Sequence, residues 1–101
     1  MPSPTAFKHK LVTPSDPHLD LRVLSQFLVV ADTLNMTMAA RRMGVSTPAV
    51  SQIVLRLENQ LGTLLFERNP HGLRLTPAGQ FLRERVRRVI EWETATVEDL
   101  A

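Results

Sequence analysis

The stretch from Asn35 to Leu61 leaves few folds open, because it holds a single reversal point between two runs that each carry helix signals. Gly44 stops the first run, Asn35 to Met43, since glycine enters the left-handed region without a Cβ penalty and lets the chain turn back. Ser46 opens the second run. Its hydroxyl can cap an early backbone N–H, and Pro48 falls in the first turn, where a missing N–H costs nothing. Within this run Val50, Val54, Leu57 and Leu61 recur at the spacing of one buried helical stripe. The opposite face is left to Pro48, Gln52, Leu55, Arg56 and Asn59.

Helix, glycine turn, helix, with hydroxyl and amide groups gathered at the start of the second, is a helix-turn-helix pattern. Such a motif offers a helix N-terminus to a DNA major groove. The flanking sequence supplies the rest of a small core. Asp20 reads as an N-cap, and Leu21, Leu24, Phe27, Leu28, Ala31 and Leu34 follow at helical steps, predicting a first helix over 21–33 on which the next two pack. Ala39, Ala40 and Met43 are small or adaptable residues suited to close helix crossing. Thr37 either caps its own helix or donates to a phosphate.

After Leu61-Gly62 the period becomes alternating: Leu64 and Phe66, then Leu73 and Leu75, flank Asn69-Pro70-His71-Gly72. Two short extended runs around such a tip predict a β-hairpin, and a hairpin attached to a helix-turn-helix makes a wing. Arg68 and Arg74 stand at its base and His71 at its tip. His71 has no histidine, cysteine or carboxylate at metal spacing, so it reads as a turn residue or phosphate neighbour rather than a ligand. Thr76-Pro77 repeats the cap-plus-proline signal, and a long helix over about 77–98 follows. Phe81, Leu82, Val86, Val89, Ile90, Trp92, Val97 and Leu100 give that helix an apolar surface wider than one short domain needs. It packs back on the first helix or meets a second copy of itself.

The expected architecture is therefore mainly α: a winged helix-turn-helix, with a three-helix core and a β-hairpin wing over 19–76, followed by a long linker and dimerisation helix over 77–101. Residues 1–18 contain four prolines and no periodic apolar pattern, and are expected to be a disordered N-terminal arm. Lys8, His9 and Lys10 in that arm read as a solvated tail rather than as phosphate contacts.

Composition narrows the function. The 101 residues include no cysteine, which excludes disulfide and thiolate-metal architectures and is compatible with the cytoplasm. No apolar run approaches the length of a membrane span, so no membrane partner is expected. Net charge is only +2, yet the span from Thr37 to Arg88 carries nine arginines against three glutamates, an excess of six positive charges. Arginine favours bidentate phosphate contacts, although Arg83–Arg88 can equally be the solvated face of a helix. No carboxylate pair, glycine-rich phosphate loop or nucleophile with a base stands at useful spacing, and the three histidines are scattered, so the chain is not expected to be an enzyme. No cofactor, metal or small-molecule ligand is expected.

The order of short motifs is more specific than any one of them. Leu21-Arg22-Val23-Leu24 and Phe27 are followed by Asn35-x-Thr37-x-Ala39-Ala40, Val45-Ser46-x-Pro48-Ala49-Val50-Ser51 and Val54-x-x-Leu57-Glu58. Then come Leu61-Gly62, Leu65-Phe66-x-Arg68 and Leu75-Thr76-x-Ala78-Gly79. Over residues 20 to about 90 this set resembles the N-terminal winged helix-turn-helix of LysR-type transcriptional regulators. The resemblance implies a homodimer, formed by antiparallel pairing of the long helices through Phe81, Leu82, Val86, Val89, Ile90, Trp92 and Val97. It also implies a recognition helix in a major groove and a wing in the adjoining minor groove of double-stranded DNA. Base contacts would come from Thr47, Pro48, Ser51 and Gln52, phosphate contacts from Thr37 and Arg68, and the wing contact from His71, with Ser46, Arg56 and Arg74 on the same DNA-facing surface.

The chain departs from the family pattern at several of these positions. Position 47 is commonly Gln and is Thr here, position 52 is commonly Arg and is Gln, and the wing-tip arginine is His71. Ile53 and Leu55 occupy sites that are usually polar. Two functions follow: a sequence-specific DNA-binding domain of a regulator, or a dimerisation module that pairs with related regulators without specific DNA binding of its own. The regulatory effector domain usual in the family does not follow within these 101 residues.

Overall fold

Asp20 sets the first helix in place. Its carboxylate accepts from the Val23 N–H at 2.9 Å, and α1 runs Leu21–Thr33. The computed structural model describes residues 19–100, so the expected arm over 1–18, including Lys8, His9 and Lys10, lies outside the described residues. In order, the further elements are α2 (Met36–Met43), α3 (Thr47–Leu61), β1 (Phe66–Asn69), β2 (Gly72–Leu75) and α4 (Pro77–Leu100). Leu34 closes α1 in the left-handed region at φ 50°, its N–H donating to the Val30 carbonyl at 2.8 Å. That conformation costs a leucine roughly 1–2 kcal/mol. Packing of its side chain against the core offsets the strain.

The cap of α2 is Asn35, whose amide oxygen accepts from Met38 N–H at 2.9 Å; Thr37 lies inside the helix, exposed. Gly44 turns the chain at φ 69°, and Val45 N–H reaches back to the Ala40 carbonyl at 3.0 Å, closing α2 in a Schellman motif. Ser46 Oγ then accepts from Ala49 N–H at 3.2 Å and starts α3. Val50, Val54 and Leu57 are buried against α1 and α2, where Phe27, Val30, Ala31, Ala39 and Ala40 meet them. Leu61 corrects the predicted stripe. It is 36% exposed, because the last turn of α3 runs past the edge of the core.

Hairpin register pairs Phe66 with Leu75, Glu67 with Arg74, Arg68 with Leu73 and Asn69 with Gly72. The turn is fixed by Asn69, whose side-chain oxygen accepts from His71 N–H at 2.8 Å. The approach to β1 differs from the alternation expected from Leu64. Leu64 is 62% exposed and precedes the strand, whereas consecutive residues Leu65 and Phe66 are both buried. The cause is Glu58 on α3: its carboxylate accepts from the N–H groups of Leu65 (2.8 Å) and Phe66 (3.2 Å) and bends the chain into the core before the pleat begins. Phe66 then meets Phe27 with ring centroids 5.6 Å apart.

Thr76 ties the wing to α4. Its hydroxyl donates to the Leu64 carbonyl at 2.6 Å and accepts from Gly79 N–H at 3.0 Å, while its own N–H donates to the Leu65 carbonyl at 3.0 Å. Gly79 permits this approach, since a Cβ there would overlap the Leu65 carbonyl and the Leu75 side chain. Beyond it α4 packs along α1. Val86, expected on the pairing face, is instead fully buried in the protomer core, and Leu82 and Ile90 are half-buried beside it. The expectation that α4 either packs back or faces a second copy thus divides along the helix circumference: one face closes the core, while Phe81, Val89, Trp92 and Val97 remain exposed.

Candidate nucleic-acid interface

The caps described above leave the first two turns of α3 open on one side. Ser46 is exposed at the helix start with its oxygen engaged by Ala49, leaving its O–H free to donate. Pro48 and Gln52 are exposed, and Thr47 and Ser51 are half-buried on the same end of the helix. A helix N-terminus carries unpaired N–H groups and the positive end of the macrodipole, so this end attracts an anion or an acceptor edge. Arg56 is exposed farther along α3.

Besides the Glu58 contact to Phe66, wing and helix are joined by a side-chain bond that the sequence does not announce. Arg68 Nη2 on β1 donates to Ser51 Oγ on α3 at 2.8 Å, across 17 residues of sequence. The serine hydroxyl keeps its proton to donate, and the guanidinium keeps further N–H donors. A hydroxyl proton and further guanidinium N–H groups are therefore held side by side, both available to donate. Glu58 was the other unrecognised participant, visible in the sequence only as part of a motif, because its role depends on where Leu65 and Phe66 come to lie.

The remaining arginines divide by partner. Arg74 pairs across the hairpin with Glu67 at 2.9 Å, Arg87 reaches Asp32 on α1 at 2.7 Å, and Arg88 pairs with Glu84 at 2.8 Å. Arg85 lies over the Phe81 ring, 4.7 Å from its centroid. The Arg83–Arg88 run is thus largely engaged within the protomer, and Arg87 acts as a strut between α4 and α1. Arg74 is drawn toward Glu67 and away from the role of a free phosphate donor, although the pair is exposed and weakly held. His71 sits exposed at the hairpin tip. Among the described residues no cluster of three or more histidine, cysteine or acidic residues could hold a metal ion, and no helix is long and apolar enough to cross a membrane.

Helix-turn-helix, wing and trailing helix in this order define a winged helix-turn-helix class. The family model of bacterial regulatory helix-turn-helix proteins of the lysR family matches residues 21–80, and the chain belongs to that family. It is 40% identical over 80 residues to the HTH-type transcriptional regulator TfdS of Cupriavidus pinatubonensis (strain JMP 134 / LMG 1197), a match covering 79% of this chain and 27% of the relative. The chain thus spans about a quarter of the length of that regulator. Among solved structures, the CbnR DNA-binding domain in complex with DNA superposes with TM-score 0.72 at 36% identity, covering 80% of this chain and 93% of the other. The complex of the BenM DNA-binding domain with catB site 1 DNA superposes with TM-score 0.76 at 27% identity, covering 81% and 92%.

Proposed function

We infer that this chain is the sequence-specific double-stranded DNA-binding domain of a LysR-type transcriptional regulator, acting without chemistry of its own. The observation that carries the reading is the exposed start of α3. Pro48, Ser51 and Gln52 stand on one open side of a capped helix, and a wing arginine is hydrogen-bonded to that side. Similarity to the CbnR and BenM DNA-binding domains, both solved with DNA, supports the same docking here. In this reading α3 enters a major groove, Thr47, Pro48, Ser51 and Gln52 meet base edges, and Thr37, Ser46, Arg56 and Arg68 meet phosphates. The wing places His71 in the adjoining minor groove. Residues 19–76 do the reading, and the exposed face of α4 pairs two copies so that two half-sites are read together. The chain works on the nucleoid in the cytoplasm.

A second reading rests on Leu55, which is 50% exposed on the outer face of α3, where a polar residue would serve DNA contact better. In that reading the chain is a dimerisation module that pairs with related regulators. An electrophoretic shift on genomic fragments separates the two: discrete complexes that survive excess nonspecific competitor support the DNA-binding domain, and none at any concentration supports the dimerisation module.

A further inference from the structure

Leu55 does not follow the pattern of its neighbours. It lies four residues after Ser51 and three after Gln52, so all three share one side of α3. At about 1.5 Å rise per residue, Leu55 stands roughly 6 Å beyond Ser51 along the axis, a reach that a helix lying along a major groove would keep beside the bases. Its side chain closes no core: the core of α3 is Val50, Val54 and Leu57. Instead it borders a shallow hollow of about 310 Å³ shared with Glu58, Asn59, Gly62, Thr63 and Leu64.

An isobutyl group offers no donor or acceptor, so it cannot read a purine edge. The apolar feature that a base pair presents in the major groove is the C5-methyl of thymine. We propose that Leu55 is a specificity-determining residue that packs on a thymine 5-methyl group, about one base-pair step beyond the pair met by Gln52. The proposal rests on the DNA-binding reading and extends it. Continuity favours DNA over a protein as the occupant, because Leu55 prolongs the side of α3 that carries the exposed Gln52 and the half-buried Ser51. The residue that looked like a loss of DNA contact then becomes a contact of a different kind.

The test begins with sites selected from random duplexes by the unmodified chain. Each thymine of the selected sequence is then replaced singly by deoxyuridine, which removes that methyl group and nothing else. One such replacement per half-site is expected to weaken binding about four-fold, the worth of one buried methyl group. Leu55→Gln should bind the thymine and uracil duplexes equally, and Leu55→Met, which keeps an apolar tip, should retain the difference. An equal loss in unmodified and Leu55→Gln protein would assign the effect to DNA shape and overturn the proposal. Absence of any sensitive thymine, with selection intact, would overturn it as well. So would a Leu55→Gln protein that keeps the methyl preference but changes its sedimentation, since Leu55 would then be a protein contact. Failure to select any sequence at all is a separate result, and takes with it the reading of α3 as a groove-binding helix.

Discussion

Arg68 on the wing and Ser51 on α3 are joined by a 2.8 Å hydrogen bond, so a guanidinium on β1 orients a hydroxyl near the start of α3. Either side chain alone has several rotamers; together they restrict each other. The pair should therefore act as a unit on DNA. Ser51→Ala and Arg68→Ala are expected each to weaken binding, and the double variant to lose less than the sum, with a coupling of about 0.5–3 kcal/mol. Titrations of the four proteins against one duplex measure it, and strict additivity would show that the bond does not persist on DNA.

A second prediction concerns the anchor of the wing. Glu58 holds Leu65 and Phe66 through two backbone N–H groups, and Gly79 lets α4 touch the same backbone. Glu58→Ala should cost about 1.5–3 kcal/mol, the worth of hydrogen bonds to a charged group. Gly79→Ala should cost roughly 1–3 kcal/mol or more, because the added methyl group meets a backbone carbonyl that cannot move without dragging the loop. Urea unfolding gives both values. Hydrogen exchange should show the hairpin amides losing protection first in Glu58→Ala; unchanged protection there would mean that the hairpin is held by its own pairing alone.

Buried and exposed faces of α4 predict opposite phenotypes for one kind of substitution. Val86→Asp puts an unpaired charge in the protomer core and should unfold the chain, at a cost of several kcal/mol. Val89→Asp and Trp92→Asp change residues that are 46% and 70% exposed, and should leave the helical circular dichroism intact while converting a dimer to a monomer in sedimentation. Ile90 is half-buried against the core and would mix the two effects. A monomeric unmodified chain at micromolar concentration would remove the pairing role of this face.

Salt dependence should separate arginines paired with a carboxylate from those that are not. If a dimer neutralises on the order of 6–10 phosphates, affinity should fall by roughly 10³- to 10⁵-fold between 50 and 200 mM salt. Arg68→Ala should flatten that slope. Arg87→Ala should leave it nearly unchanged, because Arg87 is paired with Asp32 across the helix interface. An equal effect from both would mean that the Arg87 contact opens on DNA.

Most of the fold was legible because its punctuation is local. Asp20, Ser46 and Gly44 act on backbone groups within a few residues of themselves, and Thr76 also caps α4 at the nearby Gly79. Leu64 is displaced by the Glu58 contact to the backbone that follows it, and Leu61 and Val86 have a different cause. Whether a leucine at the end of α3 or a valine on α4 is covered depends on where the chain comes back after the wing, which helical spacing does not encode. Val86 and Val89 are only three residues apart on α4, and the packing of α1 decides that one is core and the other surface. The Ser51–Arg68 bond is invisible for the same reason: it exists only once β1 is laid beside α3.

Base reading by α3 is tested most directly at Gln52. Its exposed amide can donate and accept together, matching the N6 and N7 edge of adenine, where an arginine would favour guanine. Selection of bound sites from random DNA, carried out with the unmodified chain and with Gln52→Ala, measures the contribution base pair by base pair. An adenine is expected at one position of each half-site and becomes unconstrained in Gln52→Ala, with a loss of about 1–3 kcal/mol on the preferred duplex. The same base preference in both proteins would contradict base reading by Gln52.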